Sequence, residues 1–205
     1  MKGEFAMTFW DRFAGIYDII ELTNGKVYRE MCATTRRLIP QGAKVLDCAA
    51  GTGELSFAAA VRAESVLCTD ISENMLKTAK KKAAARKKDN ISFAERNIFD
   101  LQESDNTYDI VIAGNVLHLL DNPQDAVREL YRVLKTGGKL LLPTFVTAGH
   151  AEKMLKIYEK LGYDASASYS PETYKEMLKS CGVGKLRTKV IDGVIPCCYA
   201  VIEKV

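Results

Sequence analysis

The sequence predicts an α/β protein with a doubly wound, mostly parallel sheet that ends in an antiparallel hairpin. From residue 43 onward, short apolar runs alternate with helical patterns, and this alternation is typical of βαβ units. The last two strand patterns, Leu186–Ile191 and Pro196–Ile202, are separated by only four residues. Because a parallel crossover needs about a dozen residues or more, these two strands must be antiparallel.

Five further strand patterns come before the hairpin, which makes a sheet of seven strands. They are Ala43–Cys48, Ser65–Asp70, Ile91–Glu95, Tyr108–Ala113 and Lys139–Pro143. The helices predicted between them are Glu54–Arg62, Glu73–Lys88 and Pro123–Leu134. Pro123 takes the first position of its helix, where a missing N–H costs nothing. We expect Gly137-Gly138 to end that helix before the fifth strand begins.

Four more helical patterns lie outside this alternation. They are Phe5–Tyr17, Lys26–Leu38, Ala151–Leu161 and Pro171–Cys181. We therefore predict a single domain over 1–205, with a helical cap (1–42), a core sheet (43–145), a helical segment (146–182) and the terminal hairpin (183–205). The first two helices must pack on the outside of the sheet.

Composition and charge exclude several classes of protein. The chain has 29 Lys plus Arg against 26 Asp plus Glu, a net charge of +3 that is too weak to indicate a nucleic-acid partner. The basic stretch 80–88 lacks aromatic residues and is interpreted as a solvated helix face. The six cysteines form no CxxC pair, so we predict reduced thiols and no metal site. Adjacent Cys197 and Cys198 should point to opposite faces of their strand.

The apolar runs and the amino terminus predict a cytoplasmic protein without membrane insertion. The longest apolar runs, such as Ile110–Ala113, are far shorter than the roughly 20 residues of a membrane span. The segment Met1–Trp10 has no apolar run with a small-residue cleavage site, so no signal peptide is expected.

The strongest local signal is the loop after the first predicted strand. The run Val45–Glu54 reads Val-Leu-Asp-Cys-Ala-Ala-Gly-Thr-Gly-Glu, an apolar strand followed by small residues and the start of a helix. Small residues let a ligand approach the backbone closely, and a helix start offers unpaired N–H groups. Asp70 ends the second strand, where a carboxylate can accept both hydroxyls of a ribose. Together these features predict an adenosine-containing ligand.

The charge beside this loop separates two kinds of adenosine ligand. A dinucleotide fingerprint would place a third glycine where the chain has Ser56. Asp47, just before the loop, repels a pyrophosphate and attracts an ammonium group. S-adenosylmethionine has the adenosine and the ammonium and carries no phosphate, so it is the predicted cofactor.

Four ordered motifs resemble those of the class I S-adenosylmethionine-dependent methyltransferases. They are the loop above, Cys68-Thr69-Asp70-Ile71-Ser72-x-Asn74-Met75-Leu76, Tyr108-Asp109-Ile110-Val111 and Leu134-Lys135-x-Gly137-Gly138. The chain is most similar to the small-molecule branch that includes the ubiquinone/menaquinone biosynthesis C-methyltransferases. Ala49 departs from the usual glycine of the family, and Asn97 departs from a frequent aspartate. The resemblance implies a Rossmann-like methyltransferase fold.

The resemblance also implies roles for particular residues. Asp47 would receive the methionine ammonium through water or a backbone relay, Asp70 would take the ribose hydroxyls, and Asn115 would line the methyl-donor side. Tyr17 would close the pocket from the cap. The complete expected cofactor site is Tyr17, Asp47, Ala49, Gly51, Gly53, Asp70, Ile71, Met75, Asn97, Ile98 and Asn115. Ile71, Asn97 and Ile98 would edge the adenine, although Ile71 and Ile98 could equally be core residues, and Tyr17 a core aromatic.

His118 is the candidate general base, and the alternative is a histidine on a helix surface or rim. Transfer from a sulfonium is an in-line displacement that many such enzymes perform without a base. A small, partly apolar acceptor would enter beside 1–42 and 146–170.

Two alternatives remain open, a nicotinamide-dependent oxidoreductase and a cofactor-binding module without catalysis. Asn115-Val116-Leu117-His118 lacks the Pro-Pro-aromatic pattern of nucleic-acid methyltransferases. The sequence leaves the oligomeric state open.

Overall fold

The computed structural model describes residues 24–147 and 168–205, and the predicted helices Phe5–Tyr17 and Ala151–Leu161 lie outside these ranges. Seven strands form one sheet in the order β3-β2-β1-β4-β5-β7-β6. The strands are β1 (Lys44–Asp47), β2 (Ser65–Asp70), β3 (Ile91–Glu95), β4 (Tyr108–Ile112), β5 (Leu134–Phe145), β6 (Lys185–Ile191) and β7 (Cys197–Glu203). β1 to β5 are parallel, and β7 is antiparallel to both β5 and β6. This arrangement confirms the predicted fold class.

Helices cover both faces of the sheet. They are α1 (Gly25–Leu38), α2 (Glu54–Ala59), α3 (Glu73–Ala85), α4 (Pro123–Arg132) and α5 (Pro171–Ser180), with a 3-10 turn at Leu117–Leu119. α2 and α3 end about three residues earlier than predicted. Within the described ranges, no helix has both the length and the apolar character needed to cross a membrane.

The segment around Gly137 and Gly138 differs from the prediction. The helix α4 ends at Arg132, and β5 begins at Leu134 and runs through both glycines to Phe145. Gly137 has φ +79°, and a Cβ on Gly138 would lie 2.8 Å from the backbone oxygen of Asp109. The pairing of β4 with β5 shifts register at this point. The glycines therefore allow an irregularity inside the strand, and the helix ends before them.

The core consists of two apolar layers, one on each face of the sheet. Val27 and Met31 of α1 pack with Ala59 of α2 on one face, while α4 and α5 pack on the other through residues such as Leu130 and Tyr174. Cys197 belongs to the first cluster and Cys198 to the second. The two cysteines therefore point to opposite faces, as predicted.

The helix α1 is fixed to the terminal hairpin by buried polar contacts. The hydroxyls of Thr35 and Tyr199 lie 2.7 Å apart, and both residues are buried. The Asn24 amide donates to the Ile195 carbonyl at 2.8 Å. As predicted, this helix packs on the outside of the sheet, and it contributes buried side chains to the core.

Candidate cofactor site

The strand order reverses between β1 and β4, and the loop that follows β1 lies at this switch point. In open α/β sheets, ligands bind outside the carboxyl ends of the strands at such a point. Gly51 and Gly53 have φ values of +55° and +90°. A Cβ on Gly51 would meet nothing within 4 Å, whereas one on Gly53 would lie 3.0 Å from the Phe57 ring. Gly51 thus leaves backbone open to a ligand, and Gly53 lets the loop pack on α2.

Ala49 also has a left-handed backbone, with φ +51°. A residue with a Cβ pays about 1 kcal/mol or more in this conformation, which glycine adopts freely. This strain gives a physical reason for the glycine that the resemblance leads us to expect here. The methyl group of Ala49 packs against the core cluster below the loop.

We expect Ala49→Gly to raise the free energy of unfolding by roughly 0.5–1 kcal/mol, because relief of strain outweighs the added freedom of the unfolded chain. Urea unfolding of the protein without ligand measures this change. Ala63→Gly is the matched control, since Ala63 lies in a connection and is not among the residues with positive φ. It should destabilise the protein. Equal destabilisation by both substitutions would refute the strain at position 49.

Asp70 connects the loops after β1 and β2. Its Oδ2 accepts the Gly51 N–H at 2.8 Å, and its Oδ1 accepts the Ser72 N–H at 2.9 Å. The residue is 8% exposed. A carboxylate offers about four lone-pair sites, so these two hydrogen bonds do not exhaust its capacity to accept. The position fits the role expected from the sequence, a carboxylate at the end of β2 beside an open glycine loop.

Asp47 is a carboxyl group of the site whose pKa is strongly perturbed. It is fully buried, and its Oδ2 accepts the Ser56 hydroxyl at 2.6 Å. Its Oδ1 has no hydrogen-bond partner among the described residues. Burial, opposed by the Ser56 hydrogen bond and reinforced by the Asp70 charge, raises the pKa of Asp47 to about 7. A buried acid with an unpaired oxygen fits a ligand that brings a positive charge and N–H donors.

This pKa predicts that cofactor affinity depends on pH. An ammonium group prefers the ionised carboxylate, so affinity for S-adenosylhomocysteine should rise as the pH increases through about 7. Without ligand the sign is opposite. The pKa of Asp47 is raised from 3.8 to about 7, so between these two pH values the folded state keeps a proton that the unfolded state has released. The contribution of Asp47 to the free energy of unfolding therefore falls as the pH rises from 3.8 to about 7.

Calorimetric titration and urea unfolding at several pH values test both slopes. Asp47→Asn is the comparison, because it cannot ionise and nearly preserves the shape of the side chain. When the pH profile of the variant is subtracted from that of wild type, the rise in affinity and the fall in stability should both remain. Parallel pH profiles for wild type and variant would contradict the assignment.

The residues expected on the adenine side of the site differ in exposure. Ile71 is 43% exposed directly after β2, so it is available to a ligand. Ile98 is buried in the core cluster, and Met75 is buried in the first turn of α3, where its N–H donates to Ser72 Oγ. Both side chains pack against the core, and their contact with a ligand stays a prediction. Asn97 is exposed and its Oδ1 accepts the Phe99 N–H at 3.0 Å.

Phe99 is a further candidate for the adenine side, which the sequence reasoning did not select. It is 43% exposed in the loop after β3. The backbone N–H of Arg96 donates to the Asp70 carbonyl at 3.1 Å, which joins the loops after β2 and β3. An exposed aromatic ring beside Asn97 offers a surface on which a purine can stack. An aromatic residue two positions after the expected adenine contact was the available signal.

Asn115 and His118 follow β4 on the methyl-donor side. Asn115 has φ +54°, and its Oδ1 accepts the Phe145 N–H at 2.9 Å, so it fixes the ends of β4 and β5 together. His118 lies in the 3-10 turn, is 4% exposed, and has Nδ1 3.0 Å from Thr144 Oγ1. The interpretation of His118 as a surface or rim histidine is therefore wrong. Burial lowers its pKa to about 4, so the imidazole is neutral and weakly basic.

An aromatic pair lies at the end of β5, whose last residue donates its backbone N–H to Asn115. The rings of Tyr28 on α1 and Phe145 at the end of β5 meet edge to face, with centroids 5.6 Å apart. Tyr28 belongs to the cap that the sequence assigned to the acceptor side. Tyr17, the other cap residue expected in the site, lies outside the described residues.

The charges around the glycine loop disfavour a pyrophosphate. Glu54 is the first residue of α2 and places a carboxylate where a phosphate would meet the helix start. Lys82 donates to Thr52 Oγ1 at 3.0 Å, but its Nζ is also 3.5 Å from a Glu54 oxygen. The buried Asp47 adds a further acidic group next to the loop.

The sheet order, the glycine loop and the two carboxyl groups together define a class I S-adenosylmethionine-dependent methyltransferase. The profile of the methyltransferase domain family matches residues 39–183. The chain belongs to this family, and the cofactor of the class is S-adenosylmethionine.

Comparison with known proteins gives the same class. A ubiquinone/menaquinone biosynthesis C-methyltransferase (UbiE) of Shewanella frigidimarina is 37% identical over 182 residues, covering 75% of this chain and 72% of that protein. A demethylmenaquinone methyltransferase of Clavibacter sepedonicus is 33% identical over 143 residues, covering 67% of this chain and only 57% of that protein. A SAM-dependent methyltransferase of Thermotoga maritima has the same fold, with a TM-score of 0.76 at 18% identity, covering 96% of this chain and 98% of that one.

Proposed function

We propose that this protein transfers the methyl group of S-adenosylmethionine to a small, partly apolar acceptor. The observation that carries the proposal is the pair of carboxyl groups, Asp47 and Asp70, on either side of an open glycine loop. Asp47 is buried with an oxygen that has no hydrogen-bond partner among the described residues, and Asp70 accepts two backbone N–H groups of the loops. This arrangement suits a ligand with an ammonium group at one end and a ribose at the other.

The residues of the chain position the reaction more than they take part in it. The bound cofactor supplies a methyl group on a sulfonium, which is already a good leaving group. Asp70 orients the ribose, Asp47 holds the ammonium, and Asn115 keeps the ends of β4 and β5 at a fixed separation. Correct positioning and exclusion of water can provide most of the acceleration in such a displacement.

We assign no dedicated general base. An efficient base has a pKa near the working pH, and burial lowers the pKa of His118 to about 4. His118 with its Thr144 contact is better suited to forming a neutral wall on the methyl-donor side. The role of general base remains a hypothesis for acceptors that must lose a proton before transfer.

The acceptor class follows from the aromatic residues and the relatives. Tyr28 and Phe145 place aromatic rings near the end of β5. The names of the curated relatives refer to quinone biosynthesis, and we carry the reduced, hydroquinone form of a demethylated quinone ring over to this chain as the first acceptor to test. A ring carbon would attack the methyl group as the bond from methyl to sulfur breaks, and the ring proton would be released to solvent. No nucleic acid is part of the proposal, and we place the protein in the cytoplasm.

Two features disfavour the nicotinamide-dependent alternative. A nicotinamide-dependent oxidoreductase would need a catalytic Tyr-x-x-x-Lys pair near the end of β4, and Tyr131 and Lys135 have this spacing. Lys135, however, pairs with Asp109 at 2.7 Å at the amino end of β4. That is the end of the sheet opposite the switch point. The acidic groups around the glycine loop also oppose a pyrophosphate.

A screen of acceptors that detects release of S-adenosylhomocysteine tests the proposed function. Reduced demethylated naphthoquinones should give turnover above the background rate, and simple amines, thiols and phenols form the comparison set. Asp70→Ala is the control for enzyme-dependent release. If no acceptor is methylated while S-adenosylhomocysteine still binds tightly, the protein is instead a cofactor-binding module without catalysis.

A further inference from the structure

One helix layer of the protein is strongly basic. The outer surface of α1 exposes Lys26, Arg29, Arg36 and Arg37. Successive members of this set are three, seven and one positions apart, so they lie on one side of the helix. Glu30 lies on the same stripe, where Arg37 and Lys189 approach it at 3.0 and 3.7 Å.

The helix α3 and the residues that follow it extend this basic surface. The exposed cations here are Lys77, Lys80, Lys81, Arg86 and Lys87. α3 lies beside α2, because Arg86 pairs with Glu54 at 2.8 Å and its guanidinium lies 4.5 Å from the Phe57 ring centroid. α2 in turn packs beside α1 in one apolar cluster. The three helices are therefore neighbours on the same face of the sheet.

The edge strand β6 adds three more cations on this side. They are Lys185, Arg187 and Lys189, which occupy every second position of the strand before Ile191. Ile191 is buried in the cluster under α1. Side chains two residues apart point to the same face. The Lys189–Glu30 contact agrees with this orientation. We call the outer surfaces of 25–38, 54–59, 73–88 and 185–191 the basic layer.

The charge of the basic layer far exceeds that of the whole chain. These segments contain fourteen Lys or Arg and three Glu, whereas the chain has a net charge of only +3. The remaining residues are therefore net negative by eight charges. The opposite layer, formed by α4 and α5, contains four Lys or Arg and four Asp or Glu. Such segregation of charge indicates a polyanionic partner on one side.

We propose that the basic layer docks the protein on the surface of an anionic lipid bilayer. Three neighbouring helices and an edge strand present a broad surface, which suits a membrane plane. Among the described residues, the exposed large apolar side chains next to this layer are Val61 and Val194. These aliphatic groups suit a lipid headgroup region, whereas single-stranded nucleic acids are usually bound on exposed aromatic rings. The inference is independent of the acceptor proposed above.

Vesicle sedimentation tests the docking surface. The full chain should sediment with phosphatidylcholine vesicles that contain phosphatidylglycerol, should stay in solution with pure phosphatidylcholine, and should dissociate as salt is added. Arg29→Glu combined with Lys81→Glu should weaken this binding by more than about tenfold, since each cation near an anionic surface contributes about 1 kcal/mol. Both substitutions lie on exposed helix surfaces.

Lys175→Glu combined with Lys179→Glu on α5 is the matched control, because it changes the total charge by the same amount on the opposite layer. It should leave most of the binding intact, and both double variants should bind S-adenosylhomocysteine as wild type does. The proposal is overturned if the protein fails to bind anionic vesicles or if both double variants lose binding equally. Tighter binding to a double-stranded DNA oligonucleotide than to the vesicles would assign the layer to nucleic acid.

Discussion

Replacement of Asp70 by alanine should weaken the binding of S-adenosylhomocysteine by at least about 100-fold. The expected reason is the loss of two charge-assisted hydrogen bonds to the ribose, each worth roughly 1.5–3 kcal/mol. The structure adds a second effect, because the same carboxylate accepts the N–H groups of Gly51 and Ser72. Asp47→Asn should lose less affinity at neutral pH, since about half of the Asp47 carboxyl groups are protonated near a pKa of about 7.

Asp109→Ala is the control for effects on folding alone. Asp109 also accepts a backbone N–H, from Lys44 at 2.8 Å, and pairs with Lys135, but it lies at the opposite end of the strands. It should lower stability and leave affinity for S-adenosylhomocysteine unchanged. Calorimetric titration of the folded proteins gives the affinities, and urea unfolding gives the stabilities. Wild-type affinity in Asp70→Ala would remove Asp70 from the cofactor site.

The sequence predicts the parts of the fold that depend on residues close together in the chain. The apolar runs predict the strands, and the four-residue connection requires the antiparallel hairpin. The position of Asp70 follows from its place at the end of β2. Because the carboxyl ends of parallel strands meet at one edge of the sheet, these local features also predict which loops come together.

The features that sequence reasoning missed depend on contacts between distant residues. The burial of His118 arises from packing against β5, where Thr144 lies 26 positions away along the chain. The raised pKa of Asp47 depends on its enclosure and on the charge of Asp70, which together outweigh the Ser56 hydrogen bond. Ile98 and Met75 are apolar residues next to loops. The residue type alone does not distinguish a side chain that packs in the core from one that contacts a ligand, and only the folded chain shows that both side chains are buried.

The glycine pair at 137–138 shows a different limit. Two adjacent glycines predict a break in regular structure but do not say whether the break separates two elements or interrupts one. Here the close approach of Gly138 to the Asp109 backbone oxygen requires a residue without a side chain inside β5.

Titration with S-adenosylmethionine, S-adenosylhomocysteine and NAD in one calorimeter tests the central claim most directly. We expect both sulfur ligands to bind at least about 100-fold more tightly than NAD, a difference of about 2.7 kcal/mol. The physical reason is the acidic surroundings of the glycine loop, in which Asp47 and Glu54 favour an ammonium group and repel a pyrophosphate. Saturable binding of NAD with no response to either sulfur ligand would contradict the assignment of this site.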